Sequence, residues 1–175
     1  MTLNGPASVN LSLIADGIID LTNVATATVS GFYGELDING GVETLTTTDS
    51  VRIDLDGAVD LVTATLDFKY DWDPSLTTAQ AAVADDLSNQ GYLEDYTDSN
   101  DIGGTDLKTL TISGELLDLY LDEANLETLT LNGVTMHGLT ISGATDLTTL
   151  SVAAGNKIGD IDLTGATNLT VADFN

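Results

Sequence analysis

The residues able to do chemistry in this chain are almost all carboxylates. Between Tyr92 and Gly104 the acids Glu94, Asp95, Asp98 and Asp101 stand among Tyr, Ser, Asn and Gly. Calcium takes typically about six to eight oxygen ligands. Asp95, Asp98, Asn100, Asp101 and Asp106, together with backbone carbonyls, could supply such a set. Calcium is therefore the one cofactor the sequence points to. Asp98-Ser99-Asn100 opens in the manner of a calcium-binding loop of about twelve residues, but the glycine comes too early and Thr109 stands where a bidentate acid belongs. A solvated acidic loop is the default reading of the same residues. Asp71-Trp72-Asp73 forms a second, weaker cation candidate.

Catalysis finds less support. Asp118 and Asp160 occupy equivalent places two repeats apart, with Asp162 on the same face. Stacked β-coils would separate their backbones by about 10 Å, slightly beyond the spacing of carboxylate pairs that cleave glycosides with inversion. With 28 acidic residues in the chain, such coincidences are expected. The single histidine, His137, follows the apolar Met136 and precedes Gly138, which reads as an exposed turn with no nucleophile motif around it. Gly103-Gly104 lacks the Lys and Ser/Thr of a phosphate-binding loop. The absence of cysteine excludes disulfides, thiolate metal sites and a Cys nucleophile.

The elements that position these residues repeat. Leu107, Leu110 and Ile112 return as Leu126, Leu129 and Leu131, then as Leu147, Leu150 and Val152, with Leu169 opening another copy. A second series is interleaved: Leu116, Leu119, Leu121 and Ala124 return as Met136, Leu139, Ile141 and Ala144, then as Ile158, Ile161, Leu163 and Ala166. A period of about 20 residues marks a stacked solenoid whose coils bury their apolar sides against their neighbours. The expected fold is all-β, a parallel β-solenoid with two strands per coil over residues 106–175.

Residues 1–68 read as short strands, such as Val9-Leu11-Leu13, Leu36-Ile38 and Val51-Ile53-Leu55, punctuated by Asp16-Gly17, Asn39-Gly40-Gly41 and Asp56-Gly57. Their looser spacing fits either irregular solenoid coils or a small sandwich. Residues 69–105 break the pattern. Asp73-Pro74-Ser75 starts a helix, Ala79, Ala82, Val83 and Leu87 follow at helical spacing, and Gly91 stops it ahead of the acidic loop. This stretch reads as an insertion between two β regions.

The pattern Leu126-Glu-Thr-Leu129-Thr-Leu131 resembles the strand segment of leucine-rich repeats, especially the bacterial surface type of about 21 residues per coil. The asparagine expected after the strand is missing: Glu115, Val134 and Gly155 stand there. Ala124-Asn125-Leu126 also resembles the core of pentapeptide repeats, although insertions near Ala144, Asn156 and Thr167 break the five-residue step. These resemblances imply a solenoid and little about activity.

A net charge of −24 repels nucleic acid and anionic membranes and attracts cations or basic partners. The 42% hydrophobic content and mean hydropathy of +0.14 indicate a folded chain. Met1 to Asn10 lacks the basic start and apolar run of a secretory signal, and no window reaches the roughly 20 apolar residues of a membrane span. A signal removed, another export route, or lysis-released virion assembly would each accommodate this. The chain stops within or just after a strand beginning at Leu169, so Leu169, Val171 and Phe174 are candidate partner-binding residues on an uncapped coil. The combined expectation is a non-enzymatic structural or interaction protein of a virion or extracellular assembly. Its partners would be other protein subunits, with a surface polysaccharide as a second class. A calcium-organised cell-surface adhesin and a polysaccharide-cleaving enzyme are the alternatives.

Stacking also sets which side chains form columns. Thr109, Thr128 and Thr149 should form one outward column, Thr111, Thr130 and Ser151 another, and Lys108 should neighbour Glu127. Leu129→Ala or Leu139→Ala is expected to cost about 2 to 5 kcal/mol in urea unfolding through lost burial and a cavity. A comparable loss for Thr128→Ala would contradict the register.

Overall fold

The structure, a computed structural model, describes residues 2–4, 8–12, 17–22, 24–30, 35–50, 52–55, 58–68, 93–94, 106–115, 118–121 and 124–174. These residues form a parallel β-solenoid. Its strands are β1 (Thr2–Asn4), β2 (Ser8–Ser12), β3 (Gly17–Thr22), β4 (Val24–Ser30), β5 (Glu35–Asn39), β6 (Val42–Ser50), β7 (Arg52–Asp54) and β8 (Thr63–Phe68). After these come β9 (Leu93–Glu94), β10 (Thr109–Glu115), β11 (Asp118–Leu121), β12 (Thr128–Ile141), β13 (Thr149–Val152), β14 (Lys157–Asp162) and β15 (Val171–Phe174).

The strands stack in two ladders. One runs β2-β4-β6-β8-β10-β12-β13-β15; the other begins β1-β3-β5-β7-β9. The second half of β12 continues on this second face, paired with β11 and β14. Strand β12 thus passes around a corner and contributes a rung to each face. Every pairing is parallel, as expected when successive coils wind in one sense.

Strands β2, β4, β6 and β8 belong to the same ladder as β10, β12, β13 and β15. Thr63 pairs with Thr109 across the long intervening segment, and Lys108 donates its N–H to the Val62 carbonyl at 2.9 Å. The helix expected at 76–90 lies outside the described residues. Within the stretch read as an insertion, Leu93 and Glu94 pair with Ile53 and Asp54, so part of it serves as a rung of the second face.

Alternation along each strand builds the core. On the long ladder Ala27, Leu45, Ala64, Leu110, Leu129 and Leu150 stack in one inward column and are fully buried. A second inward column holds Val29, Thr47, Leu66, Ile112, Leu131 and Val152. Thr47 is the exception among these apolar residues: its hydroxyl is buried without a hydrogen-bond partner, a state that typically costs about 1 to 3 kcal/mol. Lys108 and Glu127 meet as expected, Nζ to Oε1 at 3.1 Å, with both side chains about half exposed. Solvent screening holds the worth of such a pair to about 0.2 to 1 kcal/mol.

The corners carry specific devices. Gly114 has φ of +88°, and a Cβ there would lie 1.8 Å from the Phe68 carbonyl oxygen, so only glycine fits. Beside it, Asp67 accepts hydrogen bonds from the Ser113 hydroxyl at 2.7 Å and the Asp49 amide at 3.4 Å, tying three rungs together. Asn156 does related work further along. Its Nδ2 donates to the carbonyls of Leu131 and Ala153, both at 2.8 Å, and its Oδ1 accepts from the Val134 amide. One asparagine thus satisfies backbone groups of its own coil and of the neighbouring one. Asn156→Ala leaves the Val134 amide unpaired in a buried residue and is expected to cost about 1 to 3 kcal/mol, read as a lower urea midpoint with unchanged slope.

Candidate functional site

The proposed calcium ligands Asp95, Asp98, Asn100 and Asp101, and the Asp71-Trp72-Asp73 group, lie outside the described residues. Asp106 is exposed and lines an open cleft of about 500 Å³ with Glu43, Asp60, Ala25, Gly41 and Val62. A Cβ on Gly41 would approach the Asp60 carboxylate to 2.7 Å, so glycine makes room for that acid. Among the described residues no three His, Cys, Asp or Glu side chains converge on a metal-binding position.

The acids weighed for catalysis fall in register. Asp118 pairs with Gly138, which pairs with Asp160, and Tyr120, Thr140 and Asp162 form the neighbouring column. Two rungs separate the first two acids, about 10 Å between backbones, and Asp160 and Asp162 are exposed. The Thr164 amide donates to Asp162 Oδ1 at 2.9 Å, and with help from the Thr164 hydroxyl it holds the carboxyl below its ordinary value. That favours the charged form, whereas a proton-donating acid needs a raised value. His137 is not at a turn. It lies inside β12, because this strand runs unbroken around the corner where a turn was expected.

The apolar residues of the last coil do not form one surface. Leu169 is partly buried and packs on the core. Val171 and Phe174 are 48% and 55% exposed, but they fall in different columns: Val171 pairs with outward Thr149 and Phe174 with inward Val152. Strand alternation sends such positions to opposite sides.

The most ordered feature lies on the outward side of the long ladder. Thr26, Thr44, Thr63, Thr109, Thr128 and Thr149 pair in succession and form one rank. Two residues on along each strand, Thr28, Thr46, Thr65, Thr111, Thr130 and Ser151 form a second. Ser8 and Asn10 precede the two ranks, and Val171 and Asp173 follow them. The register shifts near Ile112/Gly114 and Thr47/Ser50 both fall beyond the second rank, so the grid is unbroken. Neighbours are spaced about 4.8 Å across rungs and about 6.7 Å along a strand. Threonine is stiff at χ1, so each position presents a hydroxyl and a methyl in few orientations. The C-terminal half of this grid was legible from the repeat; the rest was hidden because coil lengths vary.

No family model, curated protein or solved structure matches the chain.

The Asp162 contact has a measurable consequence. Because its folded value is depressed, its contribution is present above the unfolded value and is lost as pH falls through the folded one. Thr164→Ala removes the hydroxyl but keeps the amide, so NMR titration should show the Asp162 midpoint rising only part of the way to its ordinary position.

Proposed function

We propose that this chain is a non-enzymatic structural and interaction protein of an extracellular or virion assembly, a decoration or fibre-type component that works through its outward β-face. One observation carries the reading: twelve successive outward positions of the long ladder, eleven of them threonine, form a continuous neutral grid in a chain of net charge −24. A core of columns that are almost wholly apolar holds the backbone of that grid in place, which suits binding by contact rather than by enclosure. The acidic remainder of the surface disfavours nucleic acid as a partner. Among the described residues no helix is long and apolar enough to cross a membrane.

A second reading is supported by the corner geometry. The Asn156 contacts and the 21-residue step from Glu127 to Thr148 suit a surface adhesin of the leucine-rich-repeat kind, organised by calcium. Its protein or polysaccharide ligand would lie on the same outward face. Asp118 and Asp160, with a glycine between them in the column, make the polysaccharide-cleaving alternative weaker than either.

Fractionation of the producing cells tests the proposal. The full chain should co-sediment with particles or with surface material, alongside other protein subunits. Recovery as a free cytosolic monomer, or release of reducing ends from polysaccharide that is lost in Asp160→Asn, would overturn it.

A further inference from the structure

We propose that the two threonine ranks bind crystalline water, so that the face adsorbs to ice. This rests on the contact-surface reading above and names the ligand of that surface.

Three properties of the grid point there. The first is periodicity in two directions. The register is unbroken from Thr26 to Ser151, giving a lattice of hydroxyls about 4.8 Å by about 6.7 Å that runs for about 24 Å along the stack. A ligand that engages all rungs at once must itself repeat on a few-ångström scale in two dimensions. The oxygen lattice of ice does so, and the surface of a folded protein without stacked repeats does not.

The second is neutrality. The chain carries 28 acids, yet the twelve positions carry none. A carboxylate would orient its own hydration shell and disturb a neutral lattice, whereas threonine hydroxyls can donate and accept within it. The stiff side chain has little freedom to lose on binding, and many weak contacts made together give lasting adsorption.

The third is a comparison within the molecule. Threonine favours any outward strand position, so propensity alone would fill both faces with it. The second face instead holds Asp118, Gly138 and Asp160 in one column and Tyr120, Thr140 and Asp162 in the next. Among the described residues regular threonine is confined to one side.

Other ligands fit less well. The ranks contain no aromatic ring on which a sugar could stack, and none of the Trp, Tyr or Arg anchors that dominate protein interfaces. The side chains around the grid are half-buried rather than projecting: all of its members except Thr26 are only partly exposed. That suits an extended flat ligand.

The test uses the purified full chain. It should partition into slowly growing ice, facet ice crystals and produce thermal hysteresis, while a folded acidic control protein of similar mass is excluded. Thr111→Tyr places a bulky ring in the middle of the grid and should reduce hysteresis severalfold. Thr140→Tyr, on the second face, should leave it unchanged. Circular dichroism and melting temperature establish that each variant is folded. If Thr111→Tyr fails to fold, Thr65→Lys takes its place, with the same loss expected.

Exclusion of the wild-type chain from ice, with round unfaceted crystals, overturns the inference. So does equal loss in the two tyrosine variants, which would place the activity elsewhere. Binding to insoluble cellulose or chitin without binding to ice also overturns it, while leaving the contact-surface reading standing. That broader reading fails separately, by the fractionation described above.

Discussion

Everything in this molecule depends on the register of parallel rungs. Each coil gives its backbone N–H and C=O groups to the coils on either side, as in the succession Val62 to Glu43, Lys108 to Val62, Glu127 to Lys108, Thr148 to Glu127 and Thr170 to Thr148, all at 2.9 to 3.0 Å. Such a ladder places residues of like position directly above one another. A shift by a single residue would turn every inward leucine outward. The buried columns therefore stabilise the fold and also specify its register. Thr47, with its unpaired hydroxyl, marks the one place among the described residues where a polar side chain is carried in those columns at a cost.

The same ladder constrains the outside. Side chains in one column sit about 4.8 Å apart, and like charges directly opposite one another are destabilising. In a chain with four basic residues and 28 acidic ones a charge repeated from rung to rung is therefore costly, although Asp37, Asp54 and Glu94 do follow one another on three rungs of the second face. Elsewhere the acids are kept apart or paired, with Gly138 separating Asp118 from Asp160 in one column, and with Glu127 set against Lys108 in another. Neutral residues escape this limit. That explains why a long uniform array is neutral; it leaves open why the residue is threonine on one face only, and a periodic neutral ligand supplies the reason.

The corners absorb what the rungs cannot. Contacts between adjacent coils span 18, 19, 21 and 22 residues at different points, and 46 where the long segment intervenes. Length variation falls in the turns and in the register shifts at strand ends near Thr47/Ser50 and Ile112/Gly114. There Gly114 allows a close backbone approach, Asp67 binds three rungs, and Asn156 satisfies a buried amide from the adjacent coil. The rungs stay alike because hydrogen bonding fixes them, while a turn exposed to solvent can gain or lose residues at little expense.

How much of this is legible without coordinates follows from that division. Alternation within a strand is local, so the inward leucines at 107–152 and the Lys108–Glu127 pair are readable from the amino acids alone. The candidate cation ligands were legible only as composition, and Asp106 is found beside Glu43 and Asp60, residues far from it in the chain. His137 was misplaced because glycine and polar residues around it signal a turn, whereas the ladder continues through them. The sequence by itself determined the fold class, the repeat and the column order of the C-terminal coils. Only the tertiary structure decided that Thr26, Thr44 and Thr63 stand in one rank with Thr109. The physical reason is that rank membership depends on how many residues each corner holds, and that number is settled only when the hydrogen-bonded coils close on one another.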